Sequence, residues 1–340
     1  MVGVVIGLIA VLVIYQVFAA AEGIKRNTTS VGDAQQNGLL SSFMLGIELA
    51  NAGNGVASAA QDLGTCPGGA NFASTWRPLP LLIVDGGGDN LPDSFMVNYS
   101  ATNAAIAPAP FTDNAAANAD YKVQSPTGFQ ANDLIVAIRG SPASVGCAAS
   151  KVTAVSSADP LGVVTVSHTD PGLGVSFGNG SVLFNMGPAA NAQKVRYDVT
   201  SAGVLRSTAL LKGDGTPNDD RSPPPNPLAS NVVNMKLLYG LDANGDGVLE
   251  WVSAATSPWT PAELLSGIPG PNLIAQLKTL KAVRIGIVVR GEQWDRDAPP
   301  VSWSLFGGVY SGTFARAGGN YRYRTYETVI PVRNALWNSL

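Results

Sequence analysis

Between Asp242 and Glu250 the chain reads Asp-Ala-Asn-Gly-Asp-Gly-Val-Leu-Glu, with oxygen-bearing side chains at alternate positions and glycines where a loop must turn sharply. Asp242, Asn244 and Asp246 can point inward together, and the Val248 carbonyl with the Glu250 carboxylate can complete an oxygen shell for Ca2+. The twelfth position, where an EF-hand needs a bidentate glutamate, is Ser253. The preceding KLLYGL reads as a strand rather than a helix. The segment is therefore not an EF-hand; it is a weak calcium loop or a plain Asn-Gly-Asp-Gly hairpin turn. No other pattern calls for a cofactor.

Other chemistry-bearing residues are sparse. The lone His168 sits in SHTDPG without a nucleophile nearby in sequence and reads as a solvated loop histidine. Glu292, Asp295 and Asp297 surround Trp294, a carboxylate group that could do acid–base work but reads by default as an exposed loop. Gly-rich strings such as Asp85-Gly-Gly-Gly-Asp89 do not open a helix after a strand and read as turns. Zinc sites of Cys and His are nearly excluded with two cysteines and one histidine in 340 residues. No enzyme and no small-molecule substrate is expected. Arg316, Arg322, Arg324 and Arg333 gather near the C-terminus among Tyr321, Tyr323 and Tyr326. Strand alternation would place Arg322 and Arg324 on one face and the tyrosines on the other. The patch is either a solvated face over an aromatic one or a contact for DNA or another surface ligand.

These residues must be carried by two very different parts of the chain. Met1 to Ala21 has no charge, and as a helix it spans roughly 30 Å, the hydrocarbon thickness of a bilayer. A secretory signal would need a basic start and a shorter apolar run. Val2, Val5, Ile9, Leu12 and Phe18 mark this anchoring segment. From Glu22 to Asn51 the proline-free helix continues and turns amphipathic. Leu39, Leu40, Phe43, Met44, Ile47 and Leu49 fall at three- and four-residue spacings, so this face is expected to dock the rest of the protein. Gly53-Asn54-Gly55 then stops the helix. Gly3, Gly7, Gly23, Gly32, Gly38 and Gly46 interrupt it, which suits close packing or local bending.

A membrane-length apolar half, an amphipathic half and a β-rich head together resemble a type IV pilin. DAQQNGLLSSFMLGIELANAG is similar to the minor pilins of the PilW type, as are NPLASNVVNMKLLYGLDANGDGVLEW and the paired C-terminal stretches LKAVRIGIVVRGE and YRYRTYETVIPVRN. The resemblance implies a structural minor pilin that primes or assembles a type IV pilus at or near its tip. Its partners would be other major and minor pilins, met through the N-terminal helix. It would sit as a single-pass protein in the inner membrane before assembly and in the extracellular filament afterwards, its head periplasmic or extracellular. Alternatives are a tip adhesin or DNA-capture subunit, and a pseudopilin of a type II secretion system. Pilin precursors carry a basic leader, a Gly-Phe-type processing site and an early glutamate; MVGVVIGL resembles the stretch just after that glutamate, so the expectation is either a true start upstream of Met1 or a truncated form, and a chain that begins at Met1 would lack the processing site.

Beyond Gly55, short apolar runs separated by Gly, Pro, Asn and Asp predict a β-rich head, giving an α+β fold: a pilin-like long helix on a large β head. Expected strands include 79–84, 95–99, 134–138, 152–156, 163–167, 181–184, 194–199, 204–211, 232–240, 283–289, 301–305 and 325–332. Short helices are expected at 261–266, capped by Thr260, and at 271–279. The division expected is a helix at 1–53, with 1–21 membrane-spanning, and a head at 54–340. The head splits into a variable front half (54–212), a proline-rich loop (213–230) and a PilW-like half (231–340). In an exported head Cys66 and Cys147 are expected to pair. Closing a loop of about 80 residues would contribute on the order of 4 kcal/mol; the alternative is two unreactive buried thiols. With 46% hydrophobic residues the chain can bury a sizeable core, which excludes a disordered chain. A net charge of −3 excludes a general nucleic-acid binder.

Overall fold

The computed structural model describes residues 2–55, 79–102, 107–116, 118–125, 127–138, 147–169, 176–191, 194–212, 218, 220–265, 271–295, 299–315 and 320–332. A single helix, α1 (Val2–Asn51), opens the chain. The strands follow in order: β1 (Leu81–Val84), β2 (Ser94–Asn98), β3 (Ala109–Pro110), β4 (Ala115–Ala116), β5 (Tyr121–Gln124), β6 (Asp133–Ile138) and β7 (Cys147–Val155). Next come β8 (Val163–His168), β9 (Ser176–Phe177), β10 (Val182–Pro188), β11 (Lys194–Val199), β12 (Leu205–Ala209) and β13 (Asn226–Ala229). The last part holds β14 (Val232–Leu241), β15 (Glu250–Val252), α2 (Pro261–Leu265), α3 (Pro271–Thr279), β16 (Leu280–Arg290), β17 (Val301–Leu305), β18 (Tyr310–Phe314) and β19 (Tyr323–Pro331). The fold is thus α+β, a long helix on a β-rich head, as the sequence predicts.

Two sheets form the base of the head. One has the order β1-β2-β11-β12-β13 and the other β15-β14-β16-β19. The long central strands β14 and β16 pair antiparallel along most of their length, Leu237 opposite Ile285 and Tyr239 opposite Val283. Their runs of β-branched and leucine residues are buried on both faces, as near-continuous apolar strands must be. On one face lie Met235, Leu237, Tyr239, Val283, Ile285 and Ile287, which share a core with α1 and the first sheet. The other face carries Leu238 and Val288 beneath the β17–β18 hairpin, whose Trp303, Leu305, Phe306 and Tyr310 close a smaller cluster. Lys236 also faces this second side. Its ammonium, fully buried, meets the Asp93 carboxylate and the Gly88 carbonyl at 2.8 Å each. Asp93 also accepts from the Leu237 and Gly86 amides at 2.9 and 3.0 Å. Burial pushes the Asp93 carboxyl above its usual range even against the pull of Lys236.

The remaining strands form a separate body. β3 to β10 all lie between β2 and β11 in sequence, yet β2 and β11 are direct neighbours, with Asn98 opposite Lys194. Residues 99–193 are thus an insertion in what would otherwise be a hairpin. The insertion builds its own sheet, β3-β10-β6-β7-β8-β5, and its own core of Phe111, Tyr121, Val123, Ile135, Val164, Val166, Phe177 and Leu183. At its base the Ser100 amide donates to the Asn54 carbonyl at 2.7 Å, and within the insertion the Ser100 hydroxyl donates to the Asn185 carbonyl and the Asn185 amide to Asp133, both at 2.7 Å.

The main core runs across the proline-rich stretch, joining Phe95, Tyr197 and Leu205 before it to Met235 and Val289 after it. β13, which includes Pro227, lies within that stretch as an edge strand beside β12. The strong division in the head is therefore between base and insertion. Short strands that the sequence pattern passes over, β13, β15 and β18, hold proline, only three residues, or a central glycine.

Candidate functional site

α1 is the functional element the sequence singles out, and its two halves meet different surroundings. Fifty residues make a helix of roughly 75 Å. Its apolar window has a mean hydropathy of 2.6, and it is long and apolar enough to cross a membrane. Val2, Val5, Ile9, Leu12 and Phe18 are all exposed in the isolated chain. A side chain added at Gly3, Gly7, Gly23 or Gly32 would meet nothing in the described residues. These four glycines therefore answer to no contact within the head.

The head takes hold at Ser30. The buried positions are Ser30, Ala34, Gly38, Ser41, Leu45, Leu49 and Ala52, spaced 4, 4, 3, 4, 4 and 3. Eleven residues per three turns is close to the natural helical period, so this stripe runs nearly straight along the helix. Its first half is built of small residues, which brings the helix backbone close to β19 and to the end of β16. A Cβ on Gly38 would fall into the Tyr326 ring, and one on Gly291 would collide with the Ser30 hydroxyl. The Tyr326 hydroxyl reaches the Gln35 carbonyl at 3.4 Å. Toward the other sheet, Glu48 accepts from Tyr99 at 3.0 Å and also faces Tyr197, which stacks on Phe95 at 4.9 Å. Burial, reinforced by the Glu48 carboxylate, pushes both phenols above their ordinary range. Gly53 and Gly55 end the helix at φ of 77° and 71°.

This corrects the expected docking face. Leu39, Leu40, Phe43 and Ile47 are 45–67% exposed and point away from the head; of the leucines expected there, Leu49 is buried, and Leu45 joins it. Both sides of the helix are apolar, and period alone does not say which one the head covers. The missed signal is the eleven-residue repeat of Ser, Ala and Gly leading into Leu45 and Leu49.

The remaining candidates are scattered. Asp242 to Glu250 joins β14 to β15, with Leu241 opposite Glu250. Its side-chain oxygens cap backbone amides: Asp242 accepts from Gly245 at 2.8 Å, Asn244 from Asp246 at 3.2 Å and Asp246 from Val248 at 2.7 Å. Gly245 and Gly247 take φ of 75° and 81°, which the turn requires. Among the described residues no group of three His, Cys, Asp or Glu stands ready to hold a metal. Cys147 is buried at the start of β7, and Cys66 lies outside the described residues. His168 ends β8, its ring against Tyr121 at 3.9 Å and its nitrogens 2.9 and 3.0 Å from the Thr169 and Ala119 carbonyls.

Arg322 pairs with Asp295 at 2.8 Å, while Trp294 meets Tyr321 edge-on at 5.1 Å. Arg316, Arg333 and Asp297 lie outside the described residues; Glu292 is exposed. On β19, Tyr323 faces Phe314 beneath the hairpin. Tyr326 lies on the opposite face, beside Arg324 and against α1, so the expected separation of arginines from tyrosines fails at Tyr326. Its even position gives it the parity of the arginines.

The fold thus defines a class: a β-rich head carried on one helix long and apolar enough to cross a membrane. Residues 196–334, from β11 to just past β19, match the family model PilW, described as Type IV Pilus-assembly protein W. That region holds the β14–β16 core and the β19 edge on which α1 lies, and it relates the chain to type IV pilus assembly. No curated protein and no solved structure gives a significant match.

Proposed function

We propose that this chain is a structural minor pilin that takes part in assembling or priming a type IV pilus at or near its tip. The observation that carries the reading is the conjunction of the PilW match with a helix whose apolar surface the head leaves uncovered. That surface runs from Val2 through Phe18 and resumes at Leu39, Leu40, Phe43 and Ile47. Before assembly the first half would reside in the inner membrane; in the filament, helices of neighbouring pilins would replace lipid around it. The Cys66–Cys147 disulfide belongs to the same picture of an exported head. Calcium in the Asp242–Glu250 loop is a further proposal, to be tested by calorimetry at millimolar Ca2+. Gene deletion tests the main reading: loss of filaments supports it, and normal filament numbers reject it.

The insertion favours a second reading. A self-contained body of about 95 residues grafted into a hairpin suits a subunit that presents a binding domain, as a tip adhesin or DNA-capture subunit would. Normal filaments with lost attachment or lost DNA uptake would select this reading.

A further inference from the structure

An open cleft of about 550 Å3 lies in the base of the head, on the far side of the main sheet from α1. Its floor is Val233, the bulged residue of β14. One wall is the loop at Leu91, a second is the Thr200–Gly203 turn of the β11–β12 hairpin, and the third is Phe314 and Tyr323. Phe314 and Tyr323 stack at 4.3 Å and 14°, with part of each ring open to the cleft. Arg290 is the one charged residue among the described lining residues. Its Nε donates to Asn231 at 3.2 Å, and its guanidinium lies over the Tyr321 ring at 4.6 Å. It makes no ion pair among the described residues, unlike Arg206, Arg284 and Arg322, each of which meets a carboxylate. An arginine held in place by its Nε and by ring stacking, with its outer nitrogens unmatched, is a preformed fork for a carboxylate.

We infer that this cleft binds an acidic sugar, with Arg290 taking the carboxylate and the Phe314–Tyr323 pair taking the apolar face of the ring. The volume falls in the range of small-ligand sites and accommodates one or two sugar rings. The turn and the loop that wall the cleft are internally bonded: the Thr200 amide donates to the Val204 carbonyl, the Gly203 amide to the Thr200 carbonyl and the Leu91 amide to the Gly88 carbonyl. The cleft offers side chains for recognition: one cation, an aromatic face, and hydroxyls such as that of Ser201. Side chains of that kind suit a ring with hydroxyls on its rim and C–H bonds on its faces. The inference does not rest on the pilus reading.

The test is titration of the full-length protein in detergent micelles with glucuronate, glucose and an acidic tripeptide, followed by chemical-shift changes or calorimetry. The expected result is millimolar binding of glucuronate, with glucose at least about tenfold weaker for want of the charge-assisted contact. Arg290→Gln should abolish that preference, leaving the two sugars alike. Because Arg290 also supports Asn231 and Tyr321, Ser201→Trp on the exposed turn provides a second variant, which should block both sugars without lowering Tm. The inference is overturned if glucuronate fails to bind at about 50 mM, if both sugars bind the native protein equally, if the tripeptide binds more tightly than glucuronate, or if Ser201→Trp binds unchanged.

Discussion

Gly38 shows how one missing side chain sets the position of a 50-residue helix. Its Cα lies against the Tyr326 ring, where any Cβ would intrude. Gly38→Ala should therefore cost about 1–2 kcal/mol, because strain outweighs the gain of about 1 kcal/mol in helix propensity. In a Tyr326→Ala background the same substitution should be neutral or stabilising; thermal unfolding of the four proteins in the cycle measures the coupling. Lys194 offers a second test, in pH. Buried at the junction of base and insertion, its ammonium is pulled down to about 8 by desolvation, against about 10.4 in an unfolded chain. Between these values the unfolded state binds more protons, so the stability contributed at this position rises with pH. From pH 7.5 to 9.5, Tm of the native protein should climb relative to Lys194→Met. Above about pH 10 the buried phenols Tyr197 and Tyr239, held neutral by burial, should lower the Tm of both proteins alike as their unfolded counterparts ionise, leaving the difference between them in place.

At the scale of elements, the insertion is the feature most open to experiment. Asn98 and Lys194 sit opposite each other on paired strands, so residues 100–192 can be replaced by a short turn without breaking the base sheet. The shortened protein should unfold cooperatively and keep its α1 contacts. Aggregation or loss of the cooperative transition would show that the two bodies fold as one. How much of this was legible in the sequence varies by element. β14 and β16 announce themselves because both faces are buried and almost every residue is apolar. β3, β4 and β9 have two residues each and exist only through their partners, so no local pattern marks them. That β2 pairs with β11, almost a hundred residues away, is a long-range fact that periodicity cannot carry. The docking face of α1 departs from the sequence pattern for a different reason: the head buries a small-residue stripe, whereas the larger Leu40, Phe43 and Ile47 face outward. Size and burial part company there because the head covers the small-residue stripe and leaves the large side chains on the outer face.

For the whole molecule, that outward face lets folding and assembly be tested apart. Phe43→Asp and Ile47→Asp alter residues 67% and 45% exposed, so Tm should move little. Filaments counted by electron microscopy in cells carrying either variant should fall sharply if the face packs against other subunits. Unchanged filaments would remove that surface from assembly. The head and the helix also meet at one further point, where α1 ends. The Gly53 amide donates to the Asn98 carbonyl and the Ser100 amide to the Asn54 carbonyl, both at 2.7 Å. Asn98 and Ser100 are where the chain leaves for the insertion. A tensile load applied to the insertion, as by a tethered surface, would therefore reach the end of the helix through two backbone bonds as well as entering the base sheet along β2 and β11. β2 and β11 would be pulled together along their length, which loads the hydrogen bonds they make to β1 and β12 in shear rather than peeling them apart one by one.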